Sequence, residues 1–178
     1  MKNLSTIIKT TLKTFVLLFV TTSFAFNVPN QSLMSAVLNN DIEAVKQHIE
    51  NGTDLNQKDP MSGATPLITA ASFNKPEIVK LLIDAGADIE VKSGDGGTAL
   101  HSSTFFCNIE ITKMLLDAKA DKTVRNNFGA TPLDGVTAPF AQLKPIYEML
   151  QQQLAPLGLK VDLDHIEKTR PEIAAMLK

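Results

Sequence analysis

The side chains of this sequence that could do chemistry are three histidines (His48, His101 and His165), one cysteine (Cys107) and a recurring set of acids (Asp84, Asp88, Asp117 and Asp121). The histidines share no metal-ligand spacing. The acids around His165, namely Asp162, Asp164 and Glu167, lack the glycine and the ligand ladder of a calcium loop and read as a solvated turn. A single cysteine excludes an internal disulfide and any zinc site built on a cysteine pair. A reactive thiolate needs positive charge beside it, and no basic residue lies within four positions of Cys107, so it reads as a passive, partly exposed thiol. The four aspartates recur with a fixed period, as a repeated structural role requires, whereas a catalytic pair needs to be made only once. Residues 94–99, Gly-Asp-Gly-Gly-Thr-Ala, match the dinucleotide-binding glycine pattern but stand outside any strand–helix unit of the needed length. Phosphate loops, nucleophile elbows and zinc-protease helices are absent from the sequence. One enzymatic reading survives, a site assembled from Asp95, His101 and Cys107, which predicts loss of an activity without loss of fold on Cys107→Ala. No cofactor is implied.

The elements that must position these residues follow from an internal repeat. Thr65-Pro66-Leu67 returns as Thr98-Ala99-Leu100 and as Thr131-Pro132-Leu133, each step being 33 residues. The string 82–88, Leu-Ile-Asp-Ala-Gly-Ala-Asp, returns 33 residues later as 115–121, Leu-Leu-Asp-Ala-Lys-Ala-Asp. A weaker copy opens the series, with 33–37 and 42–50 as its helices and Gly52-Thr53-Asp54 as its turn. Each unit reads as helix, turn, helix, hairpin. Thr65 and Thr131 can cap a helix by accepting a backbone N–H bond, and the proline after each sits at the first helical position, where a missing donor costs nothing. The second helix, over 77–85, places Ile78, Leu81, Leu82 and Ala85 at helical spacing on one face, and Gly86 ends it in the left-handed region. No such unit can bury its apolar faces alone, so the units must stack. In this register Cys107 falls in a helix-to-helix turn equivalent to Asn40 and Asn74.

Thr98-Ala99-Leu100-His101, Ala85-Gly86-Ala87-Asp88 and Glu77-Ile78-Val79-Lys80-Leu81-Leu82 resemble the hallmark segments of the ankyrin repeat. The resemblance covers about residues 31–154. It implies an all-α solenoid of four units with β-hairpin loops, at about 31–63, 64–96, 97–129 and 130–154, whose trade is protein binding. It also implies that His101 bonds to backbone at the neighbouring hairpin. In that family the hairpin tips and the adjoining side of the first helix form a concave binding face. Carried onto this chain, that face includes Met61, Phe73, Asp95, Phe105, Phe106 and Phe128, with Phe105 the ring best suited to pack between units instead. Three positions depart from the pattern: Lys119 replaces the turn glycine, Ser102-Ser103-Thr104 replaces an apolar helix face, and Asp134 stands where His101 stands one unit earlier. The third and fourth units are therefore expected to be the softest.

Beyond the repeats, residues 155–164 read as a connection. Thr169-Arg170-Pro171-Glu172 reads as a capping box opening a last helix over 170–177, which covers the end of the stack. A partner-binding tail is the alternative for this segment.

With 44% hydrophobic and 20% charged residues, the 178-residue chain can bury a real core. All of Lys2, Lys9 and Lys13 precede the first acid, Asp41, and setting them aside leaves 14 basic residues against 19 acidic ones, a net charge of −5. An acidic body without a cationic run argues against nucleic acid or an anionic membrane surface as partner. Residues 1–25 carry those lysines, an apolar run over 15–20 and small residues at Ser23 and Ala25, the layout of a secretory signal peptide cleaved after Ala25. The uncharged stretch 14–26 counts 13 residues, against the roughly 20 apolar ones needed to span a bilayer. The expected product is a monomeric, exported, non-enzymatic binding protein, periplasmic by resemblance, which assists or protects a partner enzyme. A secreted effector engaging a host protein is the alternative.

Overall fold

A computed structural model describes residues 29–178; the expected signal segment 1–25 lies outside them. The described residues form nine α-helices and one short 3-10 turn, with no strand among them. Three helix pairs come first: α1 (Leu33–Asn39) with α2 (Ile42–Glu50), α3 (Pro66–Ser72) with α4 (Pro76–Asp84), and α5 (Ala99–Phe105) with α6 (Ile109–Asp117). Then follow α7 (Pro132–Thr137), α8 (Phe140–Leu154), the 3-10 turn (Ala155–Leu157) and α9 (Leu163–Leu177). The hairpins between units are tight loops closed by one or two backbone bonds each, too short to make a ladder.

The helices lie in two rows. First helices α1, α3, α5 and α7 pack each on the next, and second helices α2, α4 and α6 do the same beside them. Small residues allow the close approach: Ala36, Ala70, Ala71 and Ala99 are buried between the rows, with Val37, Val45, Leu67, Ile78, Leu82, Leu100, Ile111 and Leu115 filling the remainder. The polar run on α5 is accommodated by hydrogen bonds. Ser103 and Thr104 are buried and donate to the carbonyls of Leu100 (3.2 Å) and His101 (3.0 Å), while Thr112 donates to Ser103 Oγ at 3.1 Å. Each first helix of the three pairs ends in a left-handed residue that turns the chain back: Asn40 (φ 56°), Asn74 (φ 52°) and Cys107 (φ 55°). The second helices end at Gly52, Gly86 and Lys119, also at positive φ, and at Lys119 (φ 70°) a side chain costs about 1 kcal/mol.

The fourth unit departs from the expected plan. At the register position of Cys107 stands Phe140, preceded by Pro139, whose ring disfavours the helical region for Ala138 and whose nitrogen has no hydrogen to give the helix. Ala138 (ψ 149°) and Pro139 (ψ 124°) are extended, so the chain leaves α7 without the left-handed turn. Consequently α8 does not take the second-helix seat. The occupant of that seat is α9, which packs on α7 and on α6 as α4 packs on α3 and α2. The unit expected at 130–154 therefore draws its second helix from beyond residue 154. The last helix also begins earlier than expected. Asp162 caps it by accepting from the His165 N–H at 3.0 Å, and Thr169 lies inside it, buried, rather than at its start. Pro171 interrupts one helical bond but is exposed, and the buried stripe Ile166, Arg170, Ile173, Ala174 and Leu177 runs continuously past it.

Candidate protein-binding surface

Three loops, 59–64, 93–97 and 126–130, project from the N-terminal ends of α3, α5 and α7. Each is closed by a backbone bond: Asp59 N–H to Ala64 O (2.8 Å), Ser93 N–H to Gly97 O (2.8 Å) and Asn126 N–H to Ala130 O (3.0 Å). A side chain braces each from within. Asp59 Oδ1 accepts from the N–H groups of Met61 (3.1 Å) and Ser62 (2.8 Å), Asp95 Oδ1 from Gly97 (3.0 Å), and Asn126 Oδ1 from Phe128 and Ala130 (3.0 Å each). The Ser62 N–H, with the Ser62 hydroxyl, holds the Asp59 carboxyl below the usual carboxylate range.

The loops are also tied to one another. Gly94 N–H donates to Ser62 O and Asn127 N–H to Asp95 O, both at 2.9 Å. This contact explains two glycines. A Cβ on Gly63 would lie 2.6 Å from Gly94 N, and one on Gly96 would lie 2.8 Å from Asn127 N, and both residues sit at positive φ. His101 adds a further tie. Its Nδ1 accepts from Thr98 N–H at 3.1 Å, which leaves the proton on Nε2 to reach Ala130 O at 3.2 Å, in the next hairpin. Burial pushes the His101 pKa down, favouring this neutral tautomer. In the last unit Asp134 performs the capping half of the same task, accepting from Thr131 N–H and hydroxyl at 2.9 Å.

The six residues expected on the binding face fall into two groups. Met61, Asp95 and Phe128 are exposed on the braced hairpins; Met61 is 97% exposed and Phe128 82%, so both present nearly whole apolar side chains to solvent. Phe73, Phe105 and Phe106 lie at the opposite ends of the first helices, about 10 Å away at 1.5 Å per residue. Phe73 is half-buried. Phe105 and Phe106 are half-buried and pack against the core, where Tyr147 of α8 stacks on Phe105 at 4.4 Å between ring centres and meets Phe106 edge-on at 6.3 Å. These two rings are thus covered by the chain itself. Burial pushes the Tyr147 phenol up to about 12. Tyr147 and Arg170 had no periodic signal in the sequence; the proline before Phe140, at a turn position, was the available cue.

The structure does not assemble Asp95, His101 and Cys107. Both ring nitrogens of His101 are committed to structure, and Cys107 lies past the other end of α5. Cys107 is fully buried rather than partly exposed, and burial pushes its thiol up to about 11, away from thiolate chemistry. His48 is buried between Thr53 Oγ1 (3.0 Å) and Gln31 O (2.9 Å). Among the described residues no cluster of histidine, cysteine and acidic side chains could hold a metal ion.

Comparison with known proteins agrees with this architecture. The family model for ankyrin repeats (three copies) matches residues 33–126. Human protein phosphatase 1 regulatory subunit 27 is 40% identical over 65 residues, covering 36% of this chain and 42% of the relative. A putative ankyrin repeat protein of Rickettsia bellii is 41% identical over 75 residues, covering 40% of this chain and 11% of the relative. The chain therefore spans less than half the length of either relative. The crystal structure of the ankyrin repeat domain of Bcl-3 superposes with a TM-score of 0.56 at 32% identity, covering 58% of this chain and 45% of that one. Hairpins tied in a row, paired helices in two rows and a family match across the first three units together establish that this chain belongs to the ankyrin-repeat family, whose repeats are generally protein–protein interaction modules.

Proposed function

We propose that this chain is a non-enzymatic binding protein that grips a partner protein with its hairpin row, is exported by residues 1–25, and acts in the periplasm by assisting or protecting an enzyme. The observation that carries the binding reading is the pair of nearly naked apolar side chains, Met61 and Phe128, mounted on loops that internal hydrogen bonds hold rigid. Exposed apolar groups on a pre-organised frame bind without a large ordering cost. A relative named as a regulatory subunit supports action through a second protein. The three lysines and the apolar run of the first 25 residues support export.

The test is capture from periplasmic extract by residues 26–178, with Met61→Ser/Phe128→Ser as the control. A protein retained by the parent alone, with unchanged helical circular dichroism in the variant, is the expected result. Equal recovery by both removes the hairpin row from the reading. Export is checked separately by fractionation: a chain found in the cytoplasm with its N-terminus intact overturns that half of the proposal.

A further inference from the structure

Helix α8 occupies ground that the repeat gives to no helix. Of its 15 residues only Tyr147 is buried, and its backbone runs close to the turn that follows it and to one stretch of α9. Phe140, Leu143 and Tyr147 face the body at i, i+3 and i+7, the spacing with which an amphipathic helix lays one face into a groove. The receiving surface is specific. Phe105 is the last residue of α5, so its carbonyl has no partner within the helix, and the Tyr147 phenol donates to it at 2.7 Å. Phe105 and Phe106, at right angles to each other, supply one stacked and one edge-on ring contact.

The attachment of α8 is light elsewhere. Ile146 and Met149, on its far side, are 41% and 47% exposed. The chain enters α8 through the extended pair Ala138 and Pro139 and leaves it by Gly158 at φ 93°, two points where the backbone direction changes without a packed helix end. Pro145 removes a hydrogen bond from its interior. Gln151, bonded to Leu159 O and Val161 N–H, holds the C-terminal end, and Arg170 lies 5.7 Å from the centre of the Phe140 ring. The seat that α8 would take in a regular unit is already filled by α9, so the two rows of helices do not depend on α8.

We infer that the Phe105–Phe106 surface is a receptor for an amphipathic partner helix carrying aromatic, aliphatic and tyrosine side chains at i, i+3 and i+7, and that α8 is its resident, displaceable occupant. The partner helix replaces α8 ring for ring and hydroxyl for hydroxyl at the Phe105 carbonyl. Because α8 is tethered at both ends, it competes at a high effective concentration and keeps the surface closed until a tighter helix arrives. This assignment rests on the protein-binding reading of the fold, but it concerns a different surface from the hairpin row and is tested without the natural partner.

The probe is a synthetic peptide of residues 139–155. The peptide carries a fluorescein on its N-terminus, so its anisotropy reports binding to a Leu143→Ala/Tyr147→Ala protein and to the parent alike, and the same label reads a peptide with phenylalanine at the tyrosine position. The expected result is saturable binding to this variant, at least about tenfold weaker binding to the parent protein, whose own α8 competes, and about tenfold weaker binding of a peptide with phenylalanine at the tyrosine position. No binding to a folded variant overturns the inference, as does equal binding to variant and parent. Should the variant lose its helical circular dichroism, hydrogen exchange on the parent decides: α8 amides are expected to exchange at least about tenfold faster than those of α5 and α6, and equal protection overturns it. A protein that captures its partner through Met61 and Phe128 yet binds no peptide leaves the proposed function standing and removes this surface alone.

Discussion

Residues 33–121 and residues 132–178 are built from the same kind of helix but close their units differently. In the first region a left-handed residue, Asn40, Asn74 or Cys107, folds each first helix directly onto its second. In the second region the extended pair Ala138 and Pro139 replaces that turn, the chain runs out through α8, and the vacant seat is filled only when α9 returns to it. What identifies a unit here is the packing seat, and chain order is free to vary around it. The two regions also anchor their second helices by different forces. In the first, apolar stripes do most of the holding: Ile78, Val79 and Leu82 on α4, and Ile111 and Leu115 on α6. In the second, the buried guanidinium of Arg170 donates to the carbonyls of Gly135 and Ala138, at the C-terminal end of α7, where a cation is favoured by the helix dipole.

Substitutions test how differently the two regions are held. The largest effect is expected for Leu100→Ala, which opens a cavity in the fully buried face of α5 and should cost about 3 kcal/mol in urea unfolding, lost cooperatively across all units. Arg170→Ala should cost about 2 kcal/mol through its charged hydrogen bonds. Its signature is regional, since tyrosine emission from Tyr147 should change at lower urea than the helical signal of the first three units. Coincident transitions would show that α9 is anchored by its apolar stripe, as α4 and α6 are. Gly96→Ala forces a methyl group against Asn127 N and strains a positive φ, and it should cost about 1.5 kcal/mol in the same assay. Lys119→Gly is expected to gain about 0.5 kcal/mol, because relief of left-handed strain outweighs the added freedom of the unfolded chain. No gain would mean that the third unit has already absorbed that strain.

The smallest effect is a pH slope. The folded-state pKa of His101 lies below its ordinary value near 6.5, so the unfolded chain takes up a proton more readily. The stability contributed by neutral His101 is complete above pH 6.5 and falls as acid is added through and below that value. Thermal melts between pH 7.5 and 5.5 should show this decline, and His101→Gln should flatten it.

Much of this fold could be read from residue types. The 33-residue step, the threonine caps and the turn position of Cys107 all come from local rules that a sequence states openly, and the structure places Thr65, Thr131 and Cys107 as those rules require. Residues 138–177 were less legible because their signals are directional. Pro139 announces that a turn fails but not where the chain goes next, and Thr169-Arg170-Pro171-Glu172 imitates a helix start inside a helix that Asp162 had already opened. The candidate surface divided for a similar reason. Met61 and Phe128 occupy hairpin tips that the register fixes, whereas the surroundings of Phe105 and Phe106 depend on where Tyr147 lands, which no period dictates.

The backbone bonds between hairpins have a direction. Gly94 N–H reaches back to Ser62, and Asn127 N–H reaches back to Asp95, so each loop finds its acceptor on a loop that lies nearer the N-terminus. A chain emerging from the ribosome or threading through a pore N-terminus first presents those acceptors before their donors. Each finished hairpin can then serve as the template for the next, and in a chain that folds as it emerges the seat beside α7 is the last to be filled, because α9 follows every other helix.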